Sequence, residues 1–198
     1  MRKMVLMALL ALALPVAAFA NSSVDFTNSG GTLSGSSSLT LSGSTLVVVN
    51  GLNGGGLIAG NLGTISFTTG TLTSGSLAGG GTFAAGGSFT VTGNGTNGIP
   101  NGVIFSGTFS EPVQWILVDA GTNNAHYILT GSVSGMLGGS FVTVGVTTQL
   151  TKPGVFNGSI GGSSGDTNIV TPEPGTLGLL GTGLLGIAGV VRRKLNIG

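Results

Sequence analysis

The chain has 198 residues, of which 40 are glycine and only 6% are charged. It contains no cysteine, which excludes thiol nucleophiles, thiolate metal sites and iron–sulfur clusters. Its formal net charge of +1 reflects its two ends, since residues 21–170 hold four acids (Asp25, Glu111, Asp119 and Asp166) and a single base, Lys152. A segment of this charge cannot neutralise phosphates, which argues against nucleic-acid binding.

Residues 1–20 have the three parts of a secretory signal peptide. Arg2 and Lys3 give a basic start, and residues 4–14 form an uninterrupted apolar run. Ala18 and Ala20 fit the small-x-small rule, so signal peptidase is expected to cleave after Ala20. The apolar run is short for a bilayer span, although an uncleaved N-terminal anchor is the alternative. The sequence therefore predicts export through the Sec machinery.

The middle of the chain is rich in glycine, serine and threonine, a composition typical either of flexible low-complexity chain or of a β-protein with many tight turns. Apolar residues alternate with polar ones in several short segments, which favours strands with one buried face. The clearest of these segments are 64–68, 88–92 and 141–147. We therefore expect a β-rich body at 45–160, preceded by a Ser/Gly-rich, partly ordered leader at 21–44.

The spacing of glycines bears on the arrangement of these strands. A tripeptide of glycine, then serine or threonine, then an apolar residue recurs almost regularly between Gly63 and Gly87, which hints at a solenoid. Its spacing is irregular elsewhere, which favours an antiparallel β-sandwich or barrel-like body of about ten strands. The runs Leu46–Val49 and Trp115–Val118 are continuously apolar, as in strands buried on both faces. A Gly/Ser linker is predicted at 161–171.

Motifs for catalysis are weak. The pattern G-x-S-x-G occurs at 161–165, but it lies in a Gly/Ser run and would have to use His126, the only histidine. Glu111 and Asp119 are the one conceivable carboxylate pair for glycoside hydrolysis, yet both stand beside turn residues. One histidine, no cysteine and scattered acids do not make a metal site. We therefore expect a non-enzymatic protein without cofactor or metal.

Two groups of residues are candidates for ligand contact. Trp115 and Tyr127 are the only Trp and Tyr, and their rings could form a platform for sugars, although a core Trp within the run at 113–118 is the favoured interpretation. Thr71 and Thr73 could belong to an outward threonine ladder that binds ice or polysaccharide, or could be ordinary solvent-facing threonines. The remaining members of that ladder would be Thr69, Thr90 and Thr92.

The C-terminal region has the architecture of a sorting signal. Pro172 and Pro174 hold the chain extended and keep Glu173 exposed, and an uncharged apolar run follows at 177–191. As a helix this run measures about 22 Å, which is short of the roughly 30 Å hydrocarbon core and suits a transient membrane intermediate. The run ends at a basic stop, which predicts a cytoplasmic C-terminus and an outward-facing Pro-Glu-Pro. The stop consists of Arg192, Arg193 and Lys194.

This tail resembles the PEP-CTERM sorting signal of Gram-negative bacteria that produce exopolysaccharide. The resemblance rests on Pro172, Glu173, Pro174, the run at 177–191 and the basic stop. It implies processing by an exosortase, a membrane-embedded transpeptidase-like enzyme, near Pro-Glu-Pro. It also implies an inner-membrane intermediate, followed by delivery to the cell surface or to an extracellular, exopolysaccharide-associated biofilm matrix. A polysaccharide- or ice-binding module displayed by the same route is the alternative.

Overall fold

A computed structural model of the chain describes residues 23–120, 124–153, 155–161 and 164–170. The signal peptide at 1–20 and the predicted membrane helix at 177–191 lie outside these residues. Within the described ranges, no helix has both the length and the apolar character needed to span a membrane. Residues 23–171 belong to one compact unit.

The described part of the unit consists of thirteen strands and one short 3₁₀ turn, η1 (Leu52–Gly54), and all strand pairs are antiparallel. This confirms an all-β class. The strands in chain order are β1 (Ser23–Ser29), β2 (Thr32–Gly35), β3 (Leu39–Asn50), β4 (Ile58–Thr68), β5 (Leu72–Ser76), β6 (Gly80–Phe83), β7 (Gly86–Asn94), β8 (Asn101–Phe109), β9 (Val113–Ala120), β10 (Asn124–Leu137), β11 (Ser140–Pro153), β12 (Ser159–Gly161) and β13 (Ser164–Val170).

The strand order is β11-β13-β1-β3-β4-β7-β8-β10-β9-β6-β5, while β2 lies beside β3 and pairs with β12. A further pairing of β10 with β11 returns the path to its first strand, so eight strands form a closed circuit of neighbours. Strand β10 pairs with β11 along one edge, and the two halves of its other edge pair with different strands. Val133–Leu137 pairs with β8, and Ala125–Thr130 pairs with β9, from which β6 and β5 branch.

Two segments that the sequence assigns to a partly ordered leader and a linker are strands. The leader at 21–44 contributes β1, β2 and the start of β3, and its Phe26 and Leu39 are fully buried. The predicted linker at 161–171 contains β13, which pairs with both β1 and β11. Composition hides both segments because main-chain pairing needs few apolar side chains when neighbouring strands are already in place.

The core is built from alternating inward side chains, as the segments 64–68, 88–92 and 141–147 predict. Phe67 and Phe89 are cross-strand neighbours, and their rings stack with centroids 6.1 Å apart. The apolar run at 46–49 keeps Leu46 and Val49 buried and its other two valines partly exposed. The prediction that the run Trp115–Val118 is buried on both faces is wrong. Only its first residue is buried, whereas Val118 is 58% exposed, because no second layer covers the outer face of β9 within the described residues.

A pair of facing glycines lets β8 and β10 approach each other closely. Gly107 and Gly135 are register partners. A Cβ atom added at Gly135 would lie 2.1 Å from the carbonyl oxygen of Ser106, and one added at Gly107 would lie 2.4 Å from that of Ser134. Glycine kinks of this kind allow a sheet to curve, and here they lie on the strands that lead the path back to β11.

Candidate functional site

The sorting motif follows directly on the last strand of the unit. Strand β13 ends at Val170, and Pro172 comes two residues later in the chain. Val170 is the register partner of Ser23, so the first and last strands bring both ends of the unit to one place. Pro172, Glu173, Pro174 and the basic stop lie outside the described residues, as do Ala18 and Ala20.

The loops at this end of the unit form what we call the exit rim, defined as residues 50–58, 94–103 and 136–141 together with Ser23 and Val170. The antiparallel registers place them together, because Asn50 lies beside β1 near Ser23 and Ile58 pairs with Val49. Asn94 pairs with Asn101, and the hairpin that joins β10 to β11 turns at the same end. In the circuit of strands, β13 and β1 stand between that hairpin and the loop that joins β3 to β4.

The structure places Trp115 and Tyr127 in the core, each 1% exposed. Their rings stack with centroids 4.6 Å apart, and the ring of Phe156 packs edge-on against the Trp115 ring at 5.7 Å. The indole Nε1 donates to the carbonyl oxygen of Leu77 at 2.8 Å. The Tyr127 hydroxyl donates to the carbonyl oxygen of Ala78 at 2.7 Å and accepts from the Phe156 amide at 2.9 Å. These contacts agree with the core alternative and leave no room for a sugar platform, because they cover the ring faces and engage the polar atoms.

The threonine ladder is divided between core and surface. Thr69 is buried, and its hydroxyl accepts from the Leu39 amide and donates to the carbonyl oxygen of Gly70, both at 2.9 Å. Thr71 and Thr73 are exposed, and the Thr73 hydroxyl donates to the carbonyl oxygen of Thr82 at 2.9 Å. Thr90 and Thr92 lie on β7, which is not a neighbour of β5 in the sheet. The interpretation of these five residues as a single outward ladder is therefore wrong.

A larger array of hydroxyls lies on the outer face of neighbouring strands of the circuit. Ser66, Thr90 and Ser106 are in register across β4, β7 and β8. A second row continues across β8, β10 and β11, where the hydroxyls of Ser134 and Thr143 lie 2.8 Å apart. We call these two rows the hydroxyl face. Alternation alone could have indicated its members as outward positions, but only the register aligns them.

Of the residues considered for catalysis, the structure brings His126 and Asp119 together as partners across β9 and β10. Among the described residues, no group of three or more His, Cys, Asp and Glu side chains could hold a metal ion. His126 is exposed and is the register partner of Asp119 at the end of β9. The last two residues of G-x-S-x-G, Ser164 and Gly165, already belong to β13, whereas a nucleophile elbow needs a helix after its serine.

The chain matches the family described as the PEP-CTERM protein-sorting motif, over residues 170–194. That match contains Pro172, Glu173, Pro174 and the basic stop. The chain therefore carries a PEP-CTERM sorting signal, which implies export, processing by an exosortase and membrane-associated sorting toward the cell surface. A search of curated proteins and of solved structures finds no match to the chain.

Proposed function

We propose that this chain is a non-enzymatic protein of the surface or extracellular matrix of a Gram-negative bacterium, with a structural or adhesive role in exopolysaccharide and biofilm. Export through the Sec machinery and cleavage by signal peptidase after Ala20 come first. An inner-membrane intermediate follows, held by a helix at 177–191, until exosortase acts near Pro-Glu-Pro. No cofactor takes part.

The hydroxyl face is the observation that carries this proposal beyond sorting. Its first row, Ser66, Thr90 and Ser106, consists of small uncharged side chains on three adjacent strands. Neighbouring strands repeat about every 4.7–4.9 Å, so the rows present hydrogen-bonding groups at regular intervals. An uncharged array of donors and acceptors suits a neutral, hydroxyl-rich polymer, and the sorting signal delivers the protein to the place where such a polymer accumulates.

Cosedimentation of the exported protein with purified exopolysaccharide tests the role of this face. The variant Ser66→Ala/Thr90→Val/Ser106→Ala should bind roughly tenfold more weakly or worse, because each lost hydrogen bond contributes about 0.5–1.5 kcal/mol. The matched control Thr32→Val/Ser36→Ala/Ser37→Ala removes the same groups from exposed positions at β2 and its turn. Equal binding by both variants would show that the face is not the polymer site.

The same two variants distinguish polymer binding from the alternative function, which is ice binding. A regular array of threonine hydroxyls and methyls is also suited to an ice surface, which is a regular lattice of hydrogen-bonding groups. Inhibition of ice recrystallisation by the parent chain, lost in the face variant and kept in the control, would favour the ice-binding alternative. Polymer binding without any effect on ice growth would favour the matrix role.

Sorting itself is tested by the intact mass of the exported product. The expected product begins at Asn21 and ends near Pro172, because the signal peptide and the tail are both removed. Replacement of the motif by Pro172→Ala/Glu173→Gln/Pro174→Ala should leave the tail attached and the chain in the membrane fraction. Recovery of residues 192–198 in the exported parent protein would contradict processing by exosortase.

A further inference from the structure

Of the large apolar side chains that the described residues expose, four lie on the exit rim and three lie elsewhere. Leu57 stands at the end of the loop that precedes β4, Val103 near the start of β8, and Met136 and Phe141 face each other across the hairpin. Their exposed fractions run from 45% to 71%. Single exposed apolar residues are ordinary on protein surfaces, but each of the three rim loops carries at least one.

The rim loops are also free of charge. Residues 50–58, 94–103 and 136–141 contain no Asp, Glu, Lys or Arg. Of the acids nearby, Asp25 is partly buried on β1. By contrast, Glu111 lies in the turn between β8 and β9, and Asp119 lies near the end of β9, so both are away from the rim. The rim is thus uncharged and apolar-tipped, a composition that can enter the interfacial region of a bilayer without burying a charge.

The segment that follows Val170 indicates that the partner of the exit rim is a membrane. Val170 is the last described residue, and Leu177, the first residue of the apolar run, is seven residues further on. A fully extended chain spans at most about 3.3–3.6 Å per residue, so the rim stays within roughly 25 Å of the point where that run begins. Since the rim is the nearest part of the described unit along the chain, any membrane that takes up the run must come close to it.

We propose that the exit rim docks on the bilayer that the tail enters, with Leu57, Val103, Met136 and Phe141 reaching into the boundary between headgroups and acyl chains. This inference rests on the proposed function, because it requires that the tail enter a membrane. Docking holds the start of Pro-Glu-Pro at the membrane surface, within reach of a membrane-embedded processing enzyme. The contact is with lipid, and its apolar groups reach about 5–10 Å into the boundary, as interfacial segments do.

The absence of cysteine from the chain permits a direct test with single labels. The full chain is reconstituted into vesicles of phosphatidylethanolamine and phosphatidylglycerol, with an environment-sensitive fluorophore on Gly56→Cys or Ser140→Cys at the rim. The control label is on Ser88→Cys, an exposed position near the opposite end of β7. We expect a blue shift and quenching by spin-labelled lipid for both rim labels and neither effect for the control. Rim labels that behave like the control would overturn the docking.

A second variant tests whether the apolar side chains cause the contact. Leu57→Ser/Val103→Ser/Phe141→Ser should abolish the blue shift of the label at Ser140→Cys. The matched control removes three exposed apolar groups elsewhere, as Ile116→Ser/Val118→Ser/Val155→Ser, and should leave the shift intact. A shift that persists in the rim variant, or that disappears in both variants, would overturn the assignment.

Flotation of the vesicles distinguishes a failure of docking from a failure of the tail to enter the membrane. If the chain floats with the vesicles and the rim labels do not shift, docking is wrong and the sorting proposal stands. If the chain does not float, the tail has not entered the bilayer, which contradicts the proposed membrane intermediate and overturns the docking with it.

Discussion

Thr69 and Thr71 are two residues apart and look equivalent in the sequence, yet their hydroxyls have different surroundings. The Thr69 hydroxyl is buried between the Leu39 amide and the Gly70 carbonyl, whereas Thr71 is exposed to solvent. A buried amide that loses its acceptor pays the full cost of desolvation, but an exposed hydroxyl exchanges one water contact for another. Energetic importance at the residue scale therefore follows burial rather than residue type.

We expect Thr69→Val to lower the free energy of unfolding by about 1–3 kcal/mol, because the Leu39 amide is left without its acceptor. Thr71→Val, the matched control, should change it by less than about 0.5 kcal/mol. Urea unfolding followed by the fluorescence of Trp115 measures both. Equal effects of the two substitutions would contradict the assigned hydrogen bonds.

Tyr127→Phe should lower the free energy of unfolding by about 1–3 kcal/mol, because the Ala78 carbonyl and the Phe156 amide both lose their partner. The stacked ring remains, so the change isolates the hydroxyl. Thermal unfolding followed by circular dichroism is the measurement, and Phe141→Leu, a change at an exposed ring, is the control. A stability equal to that of the parent chain would mean that water replaces both contacts.

At the scale of the element, the facing glycines set how β8 and β10 pair. The Cβ atom of a Gly135→Ala variant would overlap the backbone of β8, and backbone cannot move aside as a flexible side chain can. Gly145 on β11 is different, since an added Cβ meets nothing within 4 Å. Two glycines on neighbouring strands thus have opposite tolerance for a methyl group.

Gly135→Ala should reduce the free energy of unfolding by about 1–3 kcal/mol or more, because the pairing of β8 with β10 must shift. Gly145→Ala should leave stability unchanged or raise it by about 0.4–1 kcal/mol, since it restricts the unfolded chain. Urea titration of the two variants, with hydrogen exchange of the β8 amides, checks both statements. A stable Gly135→Ala variant with protected β8 amides would contradict the close approach.

For the whole molecule, β13 joins the beginning and the end of the folded unit. It pairs with β1 on one side and with β11 on the other, so it closes the circuit of eight strands. Because these seven residues precede the sorting motif directly, the circuit can close only after nearly all of the unit has been exported. Closure depends on main-chain pairing between distant parts of the chain, which is slow to form and exposes strand edges until it is complete.

A chain that ends at Gly161 should therefore fail to reach the native state, because β1 and β11 would each keep an open edge. A chain that ends at Thr171 lacks the motif and the tail but retains β13, and it should fold. Resistance to protease and size-exclusion chromatography compare the two. Aggregation or rapid proteolysis of the longer chain would contradict a unit that ends with β13.

The sequence predicts the class of fold well where alternation is strong, as at Phe89 and Val91 or at Val142 and Val144, because a half-buried strand imposes a period of two. It fails at β13 and in the leader, where pairing rests on main-chain groups that every residue carries. It favours a core position for Trp115 without excluding a ligand platform, since an aromatic ring suits either until its neighbours are known.

The sorting signal was determined by the sequence alone, because Pro-Glu-Pro, an apolar run and a basic stop act in linear order and need no fold to be read. The alignment of Ser66 with Thr90 and Ser106, and the gathering of Leu57, Val103 and Phe141 on the exit rim, were decided only by the tertiary structure. Both depend on strand register, which is fixed by contacts between residues far apart in the chain.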